Sequence, residues 1–272
     1  KYRLSINWND KEYKSEYLPP LDTPAIDSIS VESSASEKPV YICVTTHDNE
    51  PEPTYYKWSY REIWEFNADL FANAGYLNDK FYMFERHTSQ NTYYCWGRDS
   101  SKVMLLATTD KLTENLIYEK KLIEIPRDHD KLKILYYIEV KQNRIRKGAY
   151  AYFENMQRNI EQAGSIFSPI PAEMRGNIVC VSDPKEWVLG YVDVTNTTIM
   201  KRFMPELRDL YQASYDCAKN IFTGMAPDGY TYYIYSGTPT VPNLYAPIRC
   251  VDCTYDGRGT KNKPSWWPTD HL

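Results

Sequence analysis

Tyr2, Leu4 and Ile6 alternate with Arg3 and Ser5 in the opening stretch KYRLSINWND, and the Asn/Asp turn that follows leads into the return run YKSEYL. Alternation around a turn predicts a β-hairpin. PPLDTP after it predicts a stiff, proline-rich linker. A hairpin alone is marginal in water, so residues 1–24 are expected to be the end of a preceding β-domain plus its linker.

Between about 26 and 142, apolar and aromatic runs of five to twelve residues recur: IDSISVE, PVYICVTTH, YYKWSYREIWEF, FYMFER, TYYCWG, VMLLATT, LIYEKKLIEIP and KLKILYYIEVKQ. Turn-like pieces such as HDNEPEPT and ATTDKLTEN separate them. Short strands at this spacing, with no helical period between them, predict an antiparallel sandwich over 25–146. In YYKWSYREIW the odd positions Tyr55, Lys57, Ser59, Arg61 and Ile63 share one face, and Tyr56, Trp58, Tyr60, Glu62 and Trp64 share the other. Trp58 takes the place of the core tryptophan of an immunoglobulin- or fibronectin-like module.

The period changes at KGAYAYFENMQRNIEQAG (147–164), where Tyr152, Met156, Ile160 and Ala163 form one helical stripe and Gly164 supplies a stop. GNIVCVSD and WVLGYVDVT are expected to be two strands joined by DPKE, and TTIMKRFM a third. Residues 205–225 suit a short helix carrying Cys217, and 226–272 reads as aromatic, proline-rich loop. The predicted class is therefore mainly β: a sandwich, then a smaller mixed region over 147–272 with one clear helix and an irregular tail packed on the sandwich.

Composition sharpens this picture at three points. Tyrosine is abundant, at 25 copies beside 7 tryptophans, and such residues fill β-cores and also suit contact surfaces. The net charge is −4 without any long basic run, so no nucleic-acid footprint is visible; the densest basic stretch, KQNRIRKG (141–148), is expected to end a strand and start a helix. No window approaches the roughly 18 apolar residues of a membrane-spanning helix, and the opening residues read as a strand and not as a secretory signal, which fits either a cytosolic protein or a chain that begins downstream of its true start.

The six cysteines are Cys43, Cys95, Cys180, Cys217, Cys250 and Cys253. A lone C-x-x-C without a second knuckle or a paired histidine spacing is a poor zinc site. Without a strand-to-helix turn it is also a poor redox dithiol. Bridges are favoured over free thiols or a metal, with Cys250 and Cys253 each tied to an upstream cysteine and Cys180 and Cys217 the natural candidates. A long irregular tail that is cross-linked fits the same reading.

Catalytic patterns are missing: there is no P-loop, no G-x-G-x-x-G after a strand, no H-E-x-x-H and no G-x-S-x-G. Glu62 and Glu65 could serve as paired acids but are expected on solvated strand faces. Asp128, His129 and Asp130 read as a turn rather than a metal site, Cys95 as a core or bridged cysteine, and Asn196-Thr197-Thr198 as a glycosylation pattern. No catalytic residue, cofactor or metal is assigned.

GNI (176–178), LGY (189–191), KRF (201–203), Cys217 and the tail CVDC…GRGTKNKPSWWP, together with the opening YRLSI and the THD…YYKWSYREIWEF segment, resemble a Bacteroidota family known as domain of unknown function 4249. The resemblance spans nearly the whole chain. It implies an outer-membrane lipoprotein, lipid-anchored through an N-terminal portion, whose genes lie beside TonB-dependent transporters. It implies an oxidising, surface-exposed setting, which agrees with bridged cysteines. The expected role is a non-enzymatic accessory or substrate-capture subunit of such a transporter in nutrient uptake. The rival expectations are a surface hydrolase acting on glycan or peptide, and a structural adhesin with no small ligand. Contact residues are expected first among Tyr230, Tyr232, Tyr233, Tyr235, Trp266 and Trp267, which could equally pack the tail onto the sandwich.

Overall fold

The computed structural model describes residues 1–35, 38–77, 80–83, 92–162, 175–213, 217, 220–221, 232–234 and 244–270. In chain order the strands are β1 (Ser5–Trp8), β2 (Lys11–Ser15), β3 (Ser28–Glu32), β4 (Val40–His47), β5 (Tyr55–Asn67), β6 (Ala74–Leu77), β7 (Lys80–Met83), β8 (Tyr94–Ser100), β9 (Leu105–Thr108), β10 (Leu116–Ile125) and β11 (Leu135–Ile145). Helix α1 (Lys147–Gln162) follows, then β12 (Ile178–Cys180), β13 (Thr198–Met204), β14 (Asn220–Ile221), β15 (Tyr232–Ile234), β16 (Leu244–Tyr245) and the single turn α2 (Ile248–Val251). None of the described helices is long and apolar enough to cross a membrane.

The protein is mainly β and antiparallel, as the alternating pattern predicts. Two sheets form the sandwich: β10-β4-β3, and β13-β11-β5-β8 with β9 paired to the first part of β5. Ile29, Ile42, Val44 and Ile125 of the first meet Tyr56, Trp58, Phe66, Tyr136 and Ile138 of the second in one core. The even positions of β5 face that core as expected, and Trp58 is buried. Its indole N–H donates to Gln142 Oε1 at 2.8 Å, and the Gln142 amide donates to Thr46 Oγ1 at 3.0 Å and to the Pro24 carbonyl at 2.9 Å. This buried chain of polar groups links the two sheets, and each member has a partner, so burial leaves no unmade bond there.

Several boundaries differ from the expectation. TTIMKRFM is a strand, but β13 completes the edge of the second sandwich sheet beside β11, so the sandwich draws a strand from beyond residue 146. The opening hairpin forms, and β2 pairs with β12, which ties residues 1–24 to the C-terminal region. The linker is fastened as well: the Thr23 N–H donates to Asn196 Oδ1 at 2.6 Å, and Leu21 bridges Thr195. The Asn196 amide of the Asn-Thr-Thr pattern is thereby spent on a chain contact.

WVLGYVDVT does not pair with β12, in contrast to the expected two-strand unit. Gly176 lies against Gly190 backbone to backbone, so close that a Cβ at 176 would sit 1.5 Å from the Gly190 carbonyl oxygen. The Asn177 side chain bonds both the N–H and the C=O of Val192 at 2.8 Å. A side-chain clasp between the GNI and LGY motifs replaces a strand ladder. Helix α1 begins where predicted, at the end of the basic stretch. Ala149, Tyr150 and Phe153 pack near Tyr55 and Ile145, and Tyr152 is buried beside Tyr191. Ile160, expected on one stripe with Tyr152, is 65% exposed, because only the first turns reach the sheet; Ala163 and Gly164 lie outside the described residues. The predicted helix after 205 is a 3-10 turn, Pro205–Leu210, and does not include Cys217.

All six cysteines are among the described residues. Cys217 bridges Cys250 and Cys95 bridges Cys253, while Cys43 and Cys180 are free and buried. The tail is stapled as predicted, and Cys217 takes the expected role. Cys180 does not: it sits on β12 opposite Tyr13 of the N-terminal sheet, whereas Cys95 lies on β8 opposite Phe66, where the tail passes. Closeness in sequence pointed to Cys180; the sheet brings Cys95 across 158 positions instead.

Candidate functional site

The odd positions of β5 lie on the outer face of the second sheet, and the strand register fixes their neighbours. One cross-strand row runs Lys201, Glu139, Arg61, Ser100; the next runs Phe203, Tyr137, Ile63, Arg98. Glu65 stands one row further, between Leu135 and Trp96. Side chains opposite one another on a face are close enough to interact, so these rows make a continuous surface with a charged band beside an aromatic one.

The tail forms a wall along this surface. The Cys95–Cys253 bridge holds it on the inner side of the sheet, in the sandwich core. At Gly259 the chain runs against Phe66 and Cys95 so tightly that a Cβ would meet the Phe66 ring at 2.7 Å. Thr260 then exchanges both backbone hydrogen bonds with Trp96, at 2.7 and 2.9 Å, adding one residue to the β8 edge. The Asn262 carbonyl accepts from Arg98 at 3.3 Å. By Trp267 the chain has reached the outer face, where the indole packs with Trp96, Ile134 and Leu135 and donates to Glu65 Oε2 at 2.6 Å.

The two tryptophans therefore do different things. Trp267 is 3% exposed and anchors the tail; Trp266 is 51% exposed, with its ring centroid 4.7 Å from that of Tyr137 and 6.0 Å from that of Phe203. Together with Arg61, Arg98, Ser100, Glu139 and Lys201 it borders a concavity of about 900 Å³ on the open face. That size falls in the range of small-molecule sites, roughly 300–1,000 Å³.

Charge in the concavity is layered. Glu139 is buried and accepts from Arg61 at 2.7 Å, with Lys201 at 3.5 Å and Lys141 at 4.0 Å. The Arg61 hydrogen bond, with the Lys201 charge beside it, holds the Glu139 carboxyl below the usual carboxylate range. Glu62 is 1% exposed and points inward, where Lys131 donates to it at 2.6 Å and the Tyr136 hydroxyl at 2.5 Å. Asp99 takes Lys102 at 3.1 Å. Glu139 and Glu62 are thus sunk and paired, Asp99 is half-buried and paired, and the exposed charges around the concavity are the cations Arg61, Arg98 and Lys201. Neither Glu62 nor Glu65 lies on a solvated face, contrary to the sequence expectation. Each is covered by residues distant in the chain, Lys131 and Tyr136 for one and Trp267 for the other, and single-strand alternation carries no sign of that.

Asp128, His129 and Asp130 form the turn predicted. His129 Nδ1 accepts from the Lys131 N–H at 3.1 Å and caps the 3-10 turn Asp130–Leu132, while its ring lies edge-on to Trp64. Asp130 pairs with Lys133 at 3.0 Å and Arg258 at 3.6 Å. The cluster spends its polar atoms on holding the β10–β11 connection and the tail. Asp69, Cys217 and Cys250 also come together, but both sulfurs are in the bridge and cannot act as thiolate ligands. Burial pushes the free Cys43 thiol up to about 11, which leaves it protonated and unreactive.

Of the remaining expected contact residues, Tyr230 and Tyr235 lie outside the described residues. Tyr232 and Tyr233 are on β15, paired to Gly75 and Ala74 of β6 in the small sheet β14-β16-β15-β6-β7; their side chains are outside the description. Arg61, Arg98, Glu139 and Lys201 carry no sequence motif that marks them as site residues. The alternation in YYKWSYREIW put Arg61 on the outer face, but only strand register collects the other three around it.

No curated protein and no solved structure matches the chain. Residues 1–200 match the family described as Domain of unknown function (DUF4249), and because that match takes in most of the chain, the chain belongs to this family.

Proposed function

We propose that this protein is a non-enzymatic, surface-exposed outer-membrane lipoprotein that acts as a substrate-capture subunit of a TonB-dependent transporter, with the concave outer face of the main sheet as the capturing surface. The observation that carries the reading is that face: a rigid antiparallel sheet presents three exposed cations and a half-open tryptophan, and a stapled tail walls one side. Functional groups set on rigid elements hold their geometry without an ordering cost at binding. Two bridges between sequence-distant cysteines suit an oxidising compartment. The partner and the lipid anchor follow from what the family resemblance implies.

Tagged protein extracted with detergent from outer membranes should bring a TonB-dependent barrel with it in near-stoichiometric amount. Recovery of the protein alone, under conditions that preserve other barrel–lipoprotein complexes, overturns the transporter role.

A further inference from the structure

We infer that the concavity bounded by Trp266 and the Arg61–Lys201 row binds a carboxylated sugar, with the sugar ring on the exposed tryptophan face and its carboxylate among the cations. This rests on reading the open face as the capturing surface, and it names the chemical class captured.

Charge gives the first half of the argument. Lys201 and Arg61 flank Glu139 in one row, and Arg98 stands diagonally across from Arg61 on β8. Diagonal neighbours are about 7–8 Å apart at their bases, within reach of long side chains. The Arg61 bond to Glu139 uses one of five guanidinium N–H donors, and the bond from Arg98 to the Asn262 carbonyl likewise leaves most of that fork free. Glu139 does not repel an incoming anion as a bare carboxylate would, since Arg61 and Lys201 neutralise it; its role is to position them. A planar carboxylate is the group that matches an arginine fork.

Shape gives the second half. Trp266 offers a flat apolar face, and Tyr137 and Ser100, both hydroxyl-bearing, line the same concavity. A ring with an apolar face and hydroxyls at its edge meets both features. An acidic peptide fits less well. Extended peptides gain affinity by adding to a strand edge, whereas this surface is the face of a sheet, and the β8 edge at Trp96 is already taken by Thr260. Long nucleic acid is disfavoured by the chain's net charge of −4.

The test uses calorimetric titration of the purified full chain with tetragalacturonate, its methyl ester and tetraglutamate. Tetragalacturonate should bind, with affinity falling at least about tenfold on raising salt from 0.05 to 0.5 M. The ester should bind at least tenfold more weakly, and tetraglutamate likewise. Trp266→Ala and Lys201→Gln, both at exposed positions, should each weaken binding about fivefold or more while leaving the melting temperature within about 2 °C. Absence of binding at millimolar tetragalacturonate, equal binding of the ester, equal binding of tetraglutamate, or an unchanged affinity in Trp266→Ala each overturns the inference. Sugar binding without a co-purified barrel fails the transporter role alone; a co-purified barrel without sugar binding fails this inference alone.

Discussion

Trp267 and Glu65 are joined by a 2.6 Å hydrogen bond in a buried setting, although 202 positions separate them. Glu65 projects from near the C-terminal end of the longest strand onto the outer face, where a carboxylate would ordinarily be solvated. The tail covers it and supplies the donor in the same step. Buried charge is tolerated only when hydrogen-bonded, so the tail and the sheet depend on one another at this point.

Trp267→Phe should therefore destabilise the fold by about 2–3 kcal/mol, the range for losing a hydrogen bond to a buried charged group. Trp267→Ala should cost about 3–5 kcal/mol, because a cavity is added. Urea unfolding of the two variants reads both values. A loss below about 0.5 kcal/mol for Trp267→Phe would show that something else holds the tail.

The sulfur assignment has a direct chemical readout. Native protein, never exposed to reductant, should react with none of its thiols under a large maleimide reagent, because Cys43 and Cys180 are buried and the other four are bridged. Denaturation should expose two thiols, and denaturation with reduction all six. Peptide mapping without reduction should give Cys95–Cys253 and Cys217–Cys250. Cys253→Ser should cost about 2–5 kcal/mol, given a bridge that closes 158 positions.

Glu62 is a core carboxylate with two donors, Lys131 and Tyr136. Glu62→Ala should cost about 3–5 kcal/mol, since it strands a nearly buried ammonium. The triple change Glu62→Leu, Lys131→Met, Tyr136→Phe removes the whole polar set and should recover most of that loss by thermal melting. Failure to recover would mean that the network fixes the turn at 129–132 by more than its charge.

His129 sets a slope of stability with pH. Burial first, and then the Lys131 charge, lower its pKa below the ordinary value of about 6.5. Its Nδ1 must also stay unprotonated to accept from the Lys131 N–H. The unfolded chain takes up the proton before the folded one, so stability is full above about pH 6.5 and is lost as pH falls from there through the folded pKa. The His47–Asp27 pair works in the opposite sense: the hydrogen bond to Asp27 raises the His47 pKa, and its contribution is present below about 6.5 and lost as pH rises through the raised value. Melting curves between pH 7.5 and 5 should show a smaller drop in His129→Gln than in the parent, and a larger drop in His47→Gln. Identical slopes in all three would remove both assignments.

The alternation of apolar and polar positions, read alone, specified the sandwich class, the inward face of β5 with Trp58 at its centre, the hairpin at the start and the onset of α1, and the cysteine spacing pointed to a cross-linked tail. These are local properties: a period of two or 3.6 is written in consecutive residues, and the helix onset follows from where one period gives way to the other. The tertiary structure decided what distant segments do to each other. It gave Cys253 to Cys95 rather than Cys180, took β13 into the sandwich, replaced a strand ladder by the Asn177 clasp, and covered Glu62 and Glu65. It also split the adjacent tryptophans into an anchor and an open platform, and gathered Arg61, Arg98 and Lys201 around Glu139. Register between strands is set by pairings tens of residues apart in the chain and the path of the tail by contacts across more than a hundred, and a single strand's pattern fixes which face a side chain takes but not which neighbour it will find there.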